Sequence, residues 1–276
     1  VLLIYMDGAG SYGQNGAEDA ACDAGLLSRA VGRPVRVQWM REDEHGWDPK
    51  GPPQLLDLRA TVGEGGDVVA WETRAWLPVA TQGLPNIPLL APIEAGINQP
   101  LGRSSGQIQQ NIDPPYRVGA VHAVVHWIED SPFRTSPIRT PGKIANTFAV
   151  ESFVDEVCAL AKVDPVEYRL RHLTQARGQE VVRRAAARMG WQPRPSPGPR
   201  DPTAAVLTGR GIAYVHYKHA ETHVAMGMEG AVEVTLRRPP PLDQILRVDR
   251  AESVVLSAGD EVVAEARPAR LAFNAP

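Results

Sequence analysis

The chain has 276 residues, 43% hydrophobic and 22% charged, with a formal net charge of −3. That is enough chain for one large domain or two modest ones with true cores. The near-neutral balance, with Lys and Arg scattered and no basic stripe, argues against a nucleic-acid binder that works by neutralising phosphates, and no apolar run is long enough to span a bilayer.

Residues 1–6 read as a short buried strand ended by Asp7 and Gly8. The strand is already under way at Val1, so the chain is expected to be a fragment. Residues 8–16 form a glycine-rich loop. A helix is expected next, with Ala17, Ala20, Ala21, Ala24, Leu27 and Val31 on one face, stopped by Gly32-Arg33-Pro34. Val35, Val37 and Trp39 alternate as a strand, which completes a strand–loop–helix–strand unit. The acidic run after Arg41 (Glu42, Asp43, Glu44) offers a carboxylate pair for acid–base work, but a solvated loop with a local salt bridge is the simpler reading. Residues 55–62 and 68–77 alternate like two antiparallel strands joined at 63–66. Residues 78–115 are rich in Pro, Gly, Gln and Asn, and a connection of that length is often functional. Residues 116–128 read as one or two strands.

After Arg139 a long helix is expected, its apolar stripe at Val150, Phe153, Val154, Val157, Cys158 and Ala161. Asp164-Pro165 has the form of an N-cap with proline at the first helical position, and that helix runs to about Leu173. A third helix near 178–189 buries Val181, Val182, Ala185, Ala186 and Met189. Residues 193–202 form a proline-rich, semi-rigid linker, and strands resume at 211–237. The expected division is a first portion at 1–192, a linker at 193–208, the start of a second portion at 209–237 and a divergent tail at 238–276. Helices and strands mixed in this way give an α+β (mixed α/β) fold class. Cys22 and Cys158 sit in helical patterns and read as buried small hydrophobes.

The loop at 8–16 invites two readings. Glycines let backbone N–H groups approach an anion, and the following helix offers its N-terminus, so a phosphate or cofactor cradle fits. An ordinary glycine-rich turn fits as well, and on local pattern alone it is favoured. The Gly8, Gly10, Gly13 spacing matches the letters of a dinucleotide fingerprint, but Glu18 and Asp19 in the first helical turns disfavour a pyrophosphate, and antiparallel segments follow where repeated βαβ units belong. Arg139, held between Pro137 and Pro141, reads either as a fixed guanidinium for an anion or as a surface arginine paired with Glu129, Asp130 or Glu151. His216, His219 and His223 lack metal-ligand spacing and read as exposed or hydrogen-bonded strand residues, and His122 and His126 as strand-edge or core residues.

Taken in order along the chain, residues 8–19, 32–44, 115–118, 136–156, 164–173, 185–191 and 209–213 resemble the molybdopterin-binding large subunit of the xanthine dehydrogenase/aldehyde oxidase family. The branch containing the beta subunits of isoquinoline 1-oxidoreductases is the nearest in character. The resemblance implies a molybdenum hydroxylase that inserts a water-derived oxygen into an N-heterocycle or aldehyde and passes the electrons on. It implies a molybdenum–molybdopterin cofactor, in the cytosine dinucleotide form, and 2Fe-2S clusters on a separate small iron–sulfur subunit. A cytochrome c or another electron acceptor is a further expected partner. Gly10, Ser11, Tyr12 and Gly13 hold the places of the family's cofactor-contacting loop, with Tyr12 where Phe is common, and Arg139 holds that of the family's loop arginine. The family's catalytic glutamate lies in a later motif with no counterpart here, so no catalytic residue is assigned, and the chain alone is not expected to turn over substrate. From Arg237 onward the text departs from the family. A truncated or decayed assembly module without turnover is the alternative.

Overall fold

The computed structural model describes residues 2–6, 8, 19–79, 89–97, 107–136, 138–199, 206–217, 222–236, 245–250, 253–258 and 261–271, from residue 232 onward by backbone alone. Two compact units are present. The first comprises Val1–Gly63, Asp67–Pro114 and Val118–Phe153; the second comprises Glu64–Gly66, Pro115–Arg117 and Val154–Pro276.

The first unit is built on β1 (Leu55–Val62), β2 (Val68–Pro78) and β3 (Ala120–Ile128), in the order β1-β2-β3. β1 runs antiparallel to β2, as the alternation at 55–62 and 68–77 requires, and β3 runs parallel to β2. A parallel partner needs a long crossover, and residues 79–119 supply it. The central strand buries Trp71, Thr73, Ala75 and Leu77, which share one face at a period of two. Ala75 and Leu77 pack with Ile108 and Ile112, and Leu56 and Val125 close the cluster. The polar atoms under this sheet are paired in series. The Trp71 indole donates to Thr73 Oγ1 at 2.8 Å, and that hydroxyl donates to the Ile112 carbonyl at 2.9 Å. Trp71 also meets Phe153 edge-to-face at 5.1 Å.

Among the described residues this unit also holds the helices α1 (Asp19–Val31), α2 (Arg41–Trp47) and the short α3 (Leu90–Glu94). Here the structure corrects the sequence reading. Residues 2–6 form no strand and are exposed, Leu2 to 84% and Tyr5 to 80%. Val35, Val37 and Trp39 are more buried than their neighbours, yet no ladder forms there. Alternation marks a half-buried extended segment, and only a paired neighbour makes it a strand. The acidic run is not a loop but the first turn of α2, where carboxylates suit the helix dipole. Asp43 accepts from the Met40 N–H at 2.9 Å, and Arg41 pairs with Glu44 at 2.8 Å, so the expected salt bridge is present. Leu27 and Val31, assigned to the packed face of α1, are exposed, and Cys22 is only half-buried, whereas Cys158 is fully buried.

The long helix α4 (Lys143–Ala161) carries its stripe as expected, with Val150, Val154, Val157 and Cys158 buried. In the second unit, α5 (Pro165–His172) and α6 (Ala176–Arg188) precede β4 (Val206–Tyr217) and β5 (Thr222–Leu236). α6 turns Gly178, Val182 and Ala186 inward at a spacing of four. A Cβ on Gly178 would lie 2.6 Å from the Tyr214 hydroxyl, so only glycine allows this approach to β4. β4 and β5 pair antiparallel, and the sheet continues through β8 (Glu261–Leu271), β7 (Ser253–Ala258) and β6 (Ile245–Arg250). Residues 238–276, read as a divergent tail, thus contain three strands of a five-stranded sheet. Among the described residues no helix is long and apolar enough to cross a membrane.

Candidate functional site

The Arg139 turn is fixed from both sides. Before it, the Lys50 N–H donates to the Arg134 carbonyl at 2.8 Å, the Ser136 N–H donates to the Lys50 carbonyl at 3.0 Å, and the Thr135 hydroxyl donates to the Val79 carbonyl at 2.6 Å. After it, Thr140 (φ 63°) and Gly142 (φ 71°) adopt the left-handed conformation, and α4 begins at Lys143. A Cβ on Gly142 would collide with the Ile108 carbonyl, so the turn lies directly on the backbone of the 107–112 segment. Asn146 locks the contact: its Nδ2 donates to the Ile108 carbonyl at 2.9 Å and to the Gln110 carbonyl at 2.7 Å. The nearly buried Lys143 ammonium donates to Gln110 Oε1.

Arg139 itself is exposed, and among the described residues its guanidinium has no hydrogen bond or ion pair. The pairing with Glu129, Asp130 or Glu151 weighed from the sequence is not formed, and Glu151 is buried. Around the turn, four buried side-chain oxygens have no hydrogen-bond partner among the described residues: Ser136 Oγ, Gln109 Oε1, Asn146 Oδ1 and Thr147 Oγ1. Buried polar atoms are nearly always satisfied, so a cluster of orphans beside one turn is informative.

Asp19, the first residue of α1, links that helix to the segment before Arg139. Its carboxylate is buried, with Oδ1 accepting from the Leu90 N–H at 2.7 Å and Oδ2 from Arg134 Nη2 at 2.8 Å. Arg134 also donates to the Trp47 carbonyl at 2.6 Å. The start of α1 and the segment leading to Arg139 are therefore joined by a largely buried, charge-assisted pair. This changes the argument about Asp19 as well. Its charge is matched by Arg134 and is not an unpaired anion facing the loop. Gly10, Ser11, Tyr12 and Gly13 lie outside the described residues.

Burial, followed by Asp23 and Asp19, pushes the Cys22 thiol up, away from a reactive thiolate. His216 is buried and stacks on His223 at 4.3 Å, and His223 Nδ1 is hydrogen-bonded to the Tyr214 hydroxyl at 2.7 Å. This is the hydrogen-bonded strand reading, with His219 outside the described residues. Among the described residues no group of three or more His, Cys, Asp or Glu is placed to hold a metal. His126 stacks on Trp76, and His122 lies exposed near Glu72, as strand-edge residues do. Sequence reasoning missed Asp19, Arg134, Lys143 and Asn146 as parts of the site. Lys143 and Asn146 stand in the stretch that carries the resemblance, while nothing local to Asp19 or Arg134 signals their pairing.

No protein-family model matches the chain. The chain is 39% identical over 222 residues to a nicotinate dehydrogenase subunit of Pseudomonas putida, covering 80% of this chain. It is 26% identical over 267 residues to the beta subunit of isoquinoline 1-oxidoreductase from Brevundimonas diminuta, covering 92% of this chain. It is 26% identical over 227 residues to the aldehyde oxidoreductase molybdenum-binding subunit PaoC of Escherichia coli, covering 77% of this chain. The chain is a homologue of the molybdenum-binding subunits of the xanthine dehydrogenase/aldehyde oxidase family. It spans 18%, 30% and 28% of the lengths of these three relatives, so it corresponds to a part of such a subunit. The fold agrees. Quinoline 2-oxidoreductase from Pseudomonas putida 86 superposes with a TM-score of 0.55 at 17% identity, over 75% of this chain and 27% of that one. The aldehyde oxidoreductase of Desulfovibrio gigas gives 0.54 at 12% identity, over 90% of this chain and 25% of that one. The mixed α/β architecture is thus that of the molybdenum hydroxylases, over part of their large subunit.

Proposed function

We propose that this chain supplies part of the cofactor cradle of a molybdenum hydroxylase acting on an N-heterocycle or an aldehyde. The observation that carries the reading is the buried Asp19–Arg134 pair, because it joins the start of α1 to the segment that leads into Arg139. The residues fit a molybdenum–molybdopterin cofactor. The Arg139 guanidinium suits a phosphate, and Gly10, Ser11, Tyr12 and Gly13 provide a loop able to approach a planar anionic group. The unpartnered oxygens of Ser136, Gln109, Asn146 and Thr147 suit a ligand rich in N–H donors, as a pterin is. When bound, such a cofactor supplies two-electron oxidation with oxygen drawn from water. The chain's own residues bind and orient it: Gly142 and Asn146 set the turn, and the turn sets Arg139.

The cytosine dinucleotide form of the cofactor, 2Fe-2S clusters on a small partner subunit and onward transfer to a cytochrome c or another acceptor belong to the same reading. They are supported by the character of relatives that are themselves named as subunits. The test is the molybdenum and pterin content of the chain co-expressed with its genomic neighbours. Wild type is expected to retain both, and Arg139→Ala to lose most of each while staying folded by circular dichroism. A folded wild-type assembly without molybdenum refutes the reading.

A further inference from the structure

A second feature lies in the other unit and is independent of the molybdenum reading. An open cavity of about 210 Å³ there is bordered by Arg194, Thr208, Gly209, Arg210 and Glu229. Two arginines and one glutamate are among the residues that border it, a net positive balance. The cationic side is held in place by one buried carboxylate. Asp164 Oδ2 accepts from the Trp191 indole N–H at 2.9 Å and from the Arg194 backbone N–H at 3.0 Å. The Trp191 ring then supports Arg210, whose guanidinium carbon lies 4.0 Å from the ring centroid. Arg210 donates through Nη2 to the Gln192 carbonyl, while its Nε is buried without a partner among the described residues. The Arg194 guanidinium rests over Gly198, where a Cβ would stand 2.6 Å from it. Glu229 is the cross-strand neighbour of Arg210 in the β4–β5 register, yet among the described residues no ion pair joins the two. Two arginines and a threonine among the residues that border one small cavity are the residue types that recognise a tetrahedral oxyanion.

We propose that this cavity binds a phosphate group, either the free ion or the end of a phosphate monoester. Glu229 faces the same space and opposes the anion, so it favours a ligand oxygen that carries a proton and keeps the affinity modest. The test is calorimetric titration of the full chain at fixed ionic strength with inorganic phosphate, glycerol phosphate and acetate. Saturable one-site binding of inorganic phosphate is expected, weakened at least about tenfold by Arg194→Ala and tightened a few-fold by Glu229→Gln, with unchanged thermal melts. Arg210→Lys keeps the charge but not the fork, and should also weaken binding. Binding of glycerol phosphate as well assigns an ester end, and binding of inorganic phosphate alone assigns the free ion. No saturable binding, binding untouched by Arg194→Ala, or acetate bound as tightly as phosphate would each overturn the proposal.

Discussion

Two buried polar regions of this chain are built on opposite principles. In the second unit the Asp164 carboxylate is fully used: Oδ1 accepts from the Val166 and Glu167 N–H groups, and Oδ2 from Trp191 and the Arg194 backbone. In the first unit, around the Arg139 turn, four buried oxygens have no partner among the described residues. A satisfied buried carboxylate organises structure, whereas unsatisfied buried acceptors cost stability and persist where something else requires them. The contrast distinguishes a scaffold joint from the turn proposed above to hold a ligand.

The largest effect expected from breaking the contrast is at the joint. Asp164→Ala removes an N-cap and strands the Trp191 indole and the Arg194 N–H, for a combined loss of about 3–5 kcal/mol. Asp164→Asn keeps an acceptor for the cap and should cost only about 1–2 kcal/mol. Urea denaturation of the two variants measures both. Equal losses would show that the charge, and not the hydrogen-bond count, holds the joint.

Next in size is Gly142→Ala. The left-handed backbone costs about 1–2 kcal/mol for a residue with a side chain, and the added Cβ must displace the Ile108 carbonyl. We expect a loss of at least about 2 kcal/mol together with loss of bound molybdenum from the assembled enzyme. Retained molybdenum in a destabilised variant would detach the turn's geometry from cofactor binding.

A smaller effect of opposite sign sharpens the comparison. Thr147→Val replaces a buried, unpartnered hydroxyl with a methyl of the same shape, so the cofactor-free chain should gain about 1 kcal/mol. Ser136→Ala should behave alike. If both variants also lower molybdenum retention, the orphaned oxygens serve the ligand. A loss of stability in the free chain would mean that a bound water satisfies them.

These regions also differ in how legible they were. The Asp164-Pro165 cap, the stripe of α4 and the β1–β2 pair could be read from the sequence because each is set by neighbours within a few residues or by a regular period. The Asp19–Arg134 pair joins residues 115 positions apart, and no local pattern encodes it. Residues 2–6 and 35–39 failed for a related reason. Their composition is that of strands, but strand formation depends on a partner that the sequence pattern does not name. The Arg139 turn lay between: its prolines and glycine announced a rigid turn, while the Asn146 lock and the orphaned oxygens emerged only from packing.

The smallest expected effect tests a third carboxylate, one that is neither satisfied nor poised for a ligand. Asp48 follows α2, where the helix C-terminus disfavours negative charge. Partial burial, followed by repulsion from Glu44, raises its pKa above the ordinary carboxylate value. A raised pKa means that the folded state binds the proton more tightly than the unfolded chain. The contribution to stability is therefore fully present below the unfolded pKa and is lost as pH rises through the folded one. At neutral pH the ionised Asp48 is a mild liability, softened by solvent because the group is only half-buried. Asp48→Asn should raise the melting temperature slightly at neutral pH and leave it unchanged in acid. A variant that melts lower at neutral pH would show instead that the carboxylate is held by Lys50 or Arg134, the two neighbouring cations that act against the shift.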